Sequence, residues 1–357
     1  MKIVHVLQSD KFTSGYVNFM KKHMSAYEHY FLLQSSAPLP LWDAHHVFYV
    51  ETFKAPLSDD LRAVLEQCDR IIFSGVFSSI YLLQQFPPRL LRKTYLQFWG
   101  GDFYNYLAPP PWFRVRTALH RRLRKRLYDS CAGHIFLIEG EEKEYRKFFA
   151  PPKTSFVAPM PSDDLEQPCA LIHAQREAAA QHEGIHILVG NSATASNNHK
   201  QVLDRLRRFT NENIKIFVPL SYGDPQYRDE VIRYAQETCG DRVVPVTHYM
   251  DKFDYLKFLS AMDIGIIDCN RQQGMGNIVR LLALGKKIYL RPGTSMWDMY
   301  RANGYAVYDS EAISAMPFEE FARFDAADRA KNETIADETL FTYAPSKHAW
   351  KIVFDHA

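Results

Sequence analysis

Short apolar runs recur along this chain at intervals that a helix fills, and that rhythm constrains the fold more than any other feature. In the first half they fall at 3–7, 30–34, 46–50, 70–75, 95–99 and 133–138. Most lack polar alternation, the pattern of strands covered on both faces. Helix-length stretches separate them, a charged one at 140–149 included, so this half predicts an α/β domain with a mostly parallel sheet. Pro151-Pro152 and the stretch 159–164 interrupt the rhythm, and 163–183 is polar and alanine-rich with no strand signal. Then it restarts. Strands are expected at 185–190, 214–220, 243–246, 263–268 and 286–291, with helices at 197–209, 225–237, 252–261 and 277–284. Pro225 suits a first helical turn and Gly285 a left-handed C-cap.

The fold class is therefore α/β, with two doubly wound domains, the first over 1–165 and the second over 185–330. A linker at 166–184 joins them, and a tail, 331–357, is expected to pack back on the first domain. A chain of 357 residues has ample material for two such cores. Two domains of this kind would place a cleft between the carboxyl ends of their sheets, where open α/β sheets take ligands.

Charge narrows the partners. Lys and Arg number 43 against 41 Asp and Glu, a net +2, which argues against a polycation that coats nucleic acid. Cys68, Cys131, Cys169, Cys239 and Cys269 form no C-x-x-C pair and are odd in number, so neither a disulfide framework nor a zinc ribbon is indicated. The apolar run behind Met1 is too short for a signal-peptide core, and no stretch of about 18 uncharged apolar residues occurs. A cytoplasmic protein that touches a membrane only from outside is expected.

The most informative segment is Arg271-Gln272-Gln273-Gly274-Met275-Gly276-Asn277, between a strand and a helix. Its glycines let backbone approach a ligand, and free N–H groups at the helix start suit a diphosphate. Asn277 is expected to cap the helix, while Arg271 and Gln272 can reach phosphate or sugar hydroxyls. The competing reading is an ordinary glycine turn. Gly190-Asn191-Ser192 and Ser221-Tyr222-Gly223 end the first two strands of the second domain, on the same rim, where they can hold base, ribose or phosphate. In the first domain Asp10 and Asp102 end strands and are candidate general bases for an attacking hydroxyl. Each also has a structural alternative, Asp10 as a helix cap and Asp102 as a brace of the Trp99-Gly100-Gly101 turn.

A cluster of cations follows at 114–126. Arg114, Arg116, Arg121, Arg122, Arg124, Lys125 and Arg126 surround a stripe of Val115, Leu119, Leu123 and Leu127, with Trp112 and Phe113 at its mouth. Such a helix can lie on an anionic bilayer or grip a lipid-linked diphosphate, or its stripe can simply face the core. No nucleic-acid motif accompanies the run. There is no Asp-x-Asp, Walker A, H-E-x-x-H or G-x-S-x-G segment. No metal or cofactor is therefore expected, and helix N–H groups with Arg would neutralise a leaving diphosphate.

Several segments, in order, carry a resemblance. They are His5-Val6-Leu7-x-Ser9-Asp10, Phe98-Trp99-Gly100-Gly101-Asp102-Phe103-Tyr104, Ile187-Leu188-Val189-Gly190-Asn191-Ser192, Val218-Pro219-Leu220-Ser221-Tyr222-Gly223 and Arg271-Gln272-Gln273-Gly274-x-Gly276. The chain resembles the TDP-N-acetylfucosamine:lipid II N-acetylfucosaminyltransferases of glycosyltransferase family 56. The likeness spans most of the chain and is strongest in the second half. It is poor at 34–69 and after 309, and Gln8 stands where the family pattern has glycine.

The resemblance implies a GT-B architecture, two Rossmann-like domains facing across a cleft. It implies transfer of 4-acetamido-4,6-dideoxygalactose (Fuc4NAc) from a TDP-sugar to an undecaprenyl-diphosphate-linked disaccharide at the cytoplasmic face of the inner membrane, in enterobacterial common antigen synthesis. The second domain would bind the donor through Gly190, Asn191, Ser192, Tyr222, Gly223, Arg271, Gln272, Gln273, Gly274, Gly276 and Asn277. The first would bind the acceptor, through Ser9, Trp99, Gly100 and Gly101. A nucleotide-sugar epimerase and a non-catalytic nucleotide-sugar or lipid-carrier binding protein stay open as alternatives.

Overall fold

The computed structural model describes residues 1–104, 114–177 and 182–356. The chain divides into two compact units, Met1–Asp164 with Tyr343–Ala357, and Leu165–Thr342. In the first, β1 (Lys2–Gln8), β2 (Glu28–Gln34), β3 (Val47–Val50), β4 (Arg70–Ser74), β5 (Thr94–Phe98), β6 (Gly133–Phe136) and β7 (Ser155–Val157) form one parallel sheet. Its order is β3-β2-β1-β4-β5-β6-β7. The second unit holds β8 (Ile185–Val189), β9 (Ile214–Pro219), β10 (Val243–Val246), β11 (Ile264–Ile267), β12 (Lys287–Leu290) and β13 (Tyr308–Asp309). They are ordered β10-β9-β8-β11-β12-β13. In each sheet the order reverses beside the unit's first strand, at β1/β4 and at β8/β11. Ligands of such sheets sit outside the carboxyl ends there.

Burial explains why the strands read as continuous apolar runs. β1 pairs with β2 from Lys2 opposite Glu28 and with β4 from Ile3 opposite Arg70. Alternate side chains of β1 then enter two cores. Val4 and Val6 pack with Leu32, Ile71 and Phe73, while Ile3 and Leu7 pack with Tyr16, Phe31, Ile72 and Trp350. His5 is the polar exception. Its Nδ1 lies 2.8 Å from the Tyr16 hydroxyl and its Nε2 2.9 Å from His29 Nδ1, and His29 Nε2 lies 3.0 Å from the Met24 carbonyl. In the second unit Ile187, Val189, Ile216, Val218, Ile264, Ile266 and Tyr289 form the sheet's share of one core.

Trp350, Val353 and Phe354, on the helix Ala344–Asp355, are fully buried in the first unit. The Trp350 indole N–H donates to the Pro159 carbonyl at 3.1 Å, and Arg70 Nη1 donates to the Val353 carbonyl at 3.1 Å. Trp350→Ala leaves a large cavity and is expected to cost about 3–5 kcal/mol. Urea unfolding followed in each unit checks this: the first unit's transition should move to lower urea and the second's should not.

Local differences from the sequence reading have plain causes. The stretch expected as a linker contains a helix, Glu166–Glu177, that belongs to the second unit. The second unit also keeps residues up to Thr342, so only Tyr343–Ala357 of the expected tail lies in the first. The charged helix is short, Glu141–Tyr145. β7 and β13, three and two residues long, show no periodicity to read.

Candidate functional site

At the end of β8, Gly190 turns the chain with φ +71°, and a Cβ there would sit 2.5 Å from His199 Nε2. No other residue fits without moving that ring. The turn presents Asn191, whose N–H donates to Asn197 Oδ1 at 3.1 Å and whose Nδ2 donates to the Tyr222 hydroxyl at 2.9 Å. Gly223, with φ +117°, lies so near Ala193 that a Cβ would be 2.4 Å from its carbonyl oxygen. The loops after β8 and β9 are thereby locked together, and the Ala193 N–H donates to the Tyr222 carbonyl at 2.8 Å. Burial raises the pKa of the Tyr222 hydroxyl, while 53% of the residue stays exposed. The hydroxyl end is enclosed and the rest of the ring is open.

Gln273 brings in the third loop. Its Nε2 lies 3.2 Å from Asn191 Oδ1, 3.2 Å from Ser192 Oγ and 3.0 Å from Thr194 Oγ1, and its Oε1 accepts from Ser196 Oγ at 2.5 Å. Two amide hydrogens are shared among three acceptors, so this side chain clamps one loop to another. Gln272 is buried and Arg271 half-buried.

The helix Met275–Ala283 begins two residues earlier than expected. Gly274, at φ +69°, occupies the N-cap and gives no side-chain cap. Asn277 is not the cap: it lies inside the first turn and its Nδ2 donates to the Tyr255 hydroxyl at 2.8 Å. Burial pushes that hydroxyl up to about 12. Among the described residues the amides of Met275 and Gly276 have no acceptor. Arg280, one turn on, donates from Nη1 to the Gly276 carbonyl at 2.9 Å. Burial lowers its pKa, and among the described residues no carboxylate pairs with it. Helix amides and a desolvated cation placed together in this way can hold an anion. Behind it Asp268, fully buried at the end of β11, pairs with Arg205 at 3.1 Å and Arg291 at 2.8 Å, anchoring the loop.

In the first unit the two acids differ. The Asp102 carboxylate is buried and accepts from the backbone N–H of Val76 at 3.0 Å and of Trp99 at 3.1 Å. It braces the ends of β4 and β5, the structural alternative that the sequence offered for it. Asp10 is exposed as a residue, and its Oδ1 accepts from the Phe12 N–H at 2.8 Å and from Thr13 Oγ1 at 3.1 Å. Burial of the carboxyl raises its pKa against those two bonds. Asp10 thus combines access with a raised pKa. Ser9, half-buried, donates its N–H to the Gln34 carbonyl at 3.0 Å. Gly100, at φ +89°, and Gly101 carry the chain from Trp99 to Asp102.

The basic segment is helical over Arg114–Ser130. Trp112, and the side chains of Arg114, Arg116 and Arg121, lie outside the described residues. Arg122, Lys125 and Arg126 are exposed, Lys125 being 3.4 Å from Asp129. Arg124 instead turns inward, donating from Nη1 to the Val76 carbonyl and to the Tyr128 hydroxyl, each at 2.8 Å. The expected stripe is divided, Leu127 against the core and Leu123 43% exposed.

Residues 2–325 match the glycosyl transferase group 56 family, described as 4-alpha-L-fucosyltransferase. The chain belongs to that family. It is a glycosyltransferase, and its fold is GT-B. A sucrose-phosphate synthase from Thermosynechococcus elongatus is similar in structure, with TM-score 0.69, 13% identity, and 99% of this chain and 98% of that one covered. So are a glycosyltransferase from Rickettsia africae, at 0.68 and 12% with 100% and 99% covered, and HepE of Anabaena in complex with UDP and glucose, at 0.66 and 12% with both chains fully covered.

Sequence reasoning missed Arg280 and Tyr255 in this family 56 transferase. Arg280 had one available signal, its place four residues after Gly276 on the same helix face. Tyr255 had none, because only the tertiary fold brings it to Asn277. Among the described residues no three His, Cys, Asp or Glu side chains gather as a metal site, and no helix is long and apolar enough to cross a membrane.

Proposed function

We propose that the chain transfers Fuc4NAc from a TDP-sugar to an undecaprenyl-diphosphate-linked disaccharide, without a metal ion, at the cytoplasmic face of the inner membrane. The observation that carries this reading is the start of the helix Met275–Ala283, where two amides lie beside the desolvated Arg280, none of them paired with a carboxylate among the described residues. Negative charge that builds on the departing nucleoside diphosphate is met there by donors fixed in advance. Asn191 and Ser192, held by Gln273, and Tyr222, held by Asn191, line the nucleoside and sugar side around Gly190 and Gly223. In the first unit Asp10 takes the proton of the attacking acceptor hydroxyl as the new glycosidic bond forms. Ser9, Trp99, Gly100 and Gly101 border the acceptor, and the exposed Arg122, Lys125 and Arg126 meet the lipid diphosphate or the bilayer. The identity of both sugars is supported by the resemblance of the ordered segments alone.

Thermal unfolding with TDP, UDP, GDP and ADP, each with and without EDTA, tests the donor site. A ligand of the folded state adds about 2.7 kcal/mol at a hundred times Kd. TDP should give the largest shift, unchanged by EDTA, and Arg280→Met should remove most of it. A larger shift with UDP would overturn the donor, and an Arg280→Met variant that keeps the full shift would overturn the diphosphate site.

A further inference from the structure

We propose that Phe12, Phe77 and Trp99 form a platform for the sugar ring of the acceptor, holding its hydroxyl toward Asp10; this rests on the transferase reading above. The three rings come from three loops at the carboxyl ends of β1, β4 and β5. The Trp99 ring lies 6.0 Å from Phe12 at 76° and 6.4 Å from Phe77 at 85°. Phe12 is 49% exposed and Phe77 39%. Aromatic rings this open, gathered beside a third, are not explained by the core, which is filled by other side chains.

The cluster is built rather than incidental. Asp102 holds both the Trp99 N–H and the N–H of Val76, the neighbour of Phe77, so one buried carboxylate fixes two of the three loops. The Trp99 indole N–H donates to Ser74 Oγ at 3.2 Å. Gly75, at φ +76°, leaves room for both rings: a Cβ there would stand 3.3 Å from Phe77 and 3.5 Å from Trp99. The third ring is tied to the candidate base, since the Phe12 N–H donates to Asp10 Oδ1.

The surroundings indicate a sugar rather than a hydrocarbon chain. Ser78 Oγ lies 2.8 Å from Gln8 Oε1 and 2.7 Å from Gln34 Oε1, which puts hydroxyl and amide groups at the same strand ends. Electron-rich ring faces attract the electropositive C–H face of a pyranose, and polar groups at the edge take its hydroxyls. A prenyl chain would use the rings and make no use of the remaining hydrogen-bonding capacity of those polar groups. Rings fixed before binding also lower the ordering cost of placing one hydroxyl.

The test is steady-state kinetics of the full chain with TDP-sugar saturating and the lipid-linked disaccharide varied. Phe12→Ala and Phe77→Ala should each raise the acceptor KM by about tenfold, with the donor KM and the TDP thermal shift as in wild type. Phe77→Leu, which keeps bulk without a ring, should behave as Phe77→Ala and guards against misfolding. An acceptor KM within about twofold of wild type in these variants would overturn the platform. A second readout separates it from the transferase reading. The free disaccharide should quench fluorescence that is lost in Trp99→Phe, and undecaprenyl phosphate without sugar should not. Quenching by the lipid alone would overturn the proposal. Quenching by the disaccharide in a protein that turns over no TDP-sugar would overturn the substrate reading and leave the platform standing.

Discussion

Asp10→Asn should lower kcat by about 10²–10⁴-fold while the donor still binds, the range lost with a positioned general base. The two candidate acids, Asp10 and Asp102, share one side-chain chemistry and a value raised by burial, and differ in access and partners. Asp102 spends its oxygens on backbone amides and is enclosed by protein. Asp10 keeps an accessible carboxyl whose affinity for a proton is raised by burial, toward the working pH, where a base is most effective. Asn at position 10 still accepts the Phe12 N–H, so the loop is preserved and only the proposed base is lost. Asp102→Asn should act differently, raising the acceptor KM through misplaced Trp99 and Phe77 with a smaller effect on kcat. A kcat for Asp10→Asn within a factor of two of wild type, measured at saturating donor and acceptor, would show that no base at this position serves the reaction.

Acid should destabilise the first unit more than the second, well before its carboxylates are protonated. His29 and His134 are held down to about 4 and His5 well below the ordinary value, in each case chiefly by burial. In the second unit His199 is held to about 4, also by burial. An unfolded imidazole titrates near 6.5, so between 6.5 and 4 the unfolded chain binds protons that the folded one refuses. Stability is therefore full above pH 7 and falls as pH drops. Each of the groups held near 4 removes about 2 kcal/mol between pH 7 and pH 5, or about 4 kcal/mol in the first unit. Asp10 and Asp102, whose values are raised, act in the opposite direction and offset part of this. Calorimetry from pH 7 to pH 5 should show the first unit's transition falling by about 10 °C. A transition that holds its temperature over that range would show that these imidazoles titrate as if exposed.

The strands could be read from the chain because burial on both faces suppresses polar alternation, as in β1, where Ile3–Leu7 is buried throughout. Gly190 and Gly223 were legible as turn glycines at strand ends, and the structure adds the close approach that requires them. The role of Gln273 was not legible, since its partners lie about eighty residues away in sequence and only the sheet order brings them near. Asn277 misled because N-cap preference is a local rule. Gly274 took the cap in a left-handed conformation, and Asn277 found Tyr255 instead. For Asp102 the sequence offered both a base and a brace, and the buried bonds to the Val76 and Trp99 amides are those of a brace.

Because Tyr343–Ala357 belongs with Met1–Asp164, the order of synthesis and the order of completion are inverted. The ribosome delivers the first sheet early, yet the pocket for Trp350 and Phe354 stays unfilled until the whole of Leu165–Thr342 has emerged. The uninterrupted second unit can close during translation, while the earlier one waits with an apolar surface open to chaperones and proteases. A chain cut at Thr342 would then carry an intact second unit and an incomplete first unit that is cleared from the cell. For this transferase, loss of catalysis by a late truncation would be a defect of biosynthetic timing rather than of chemistry.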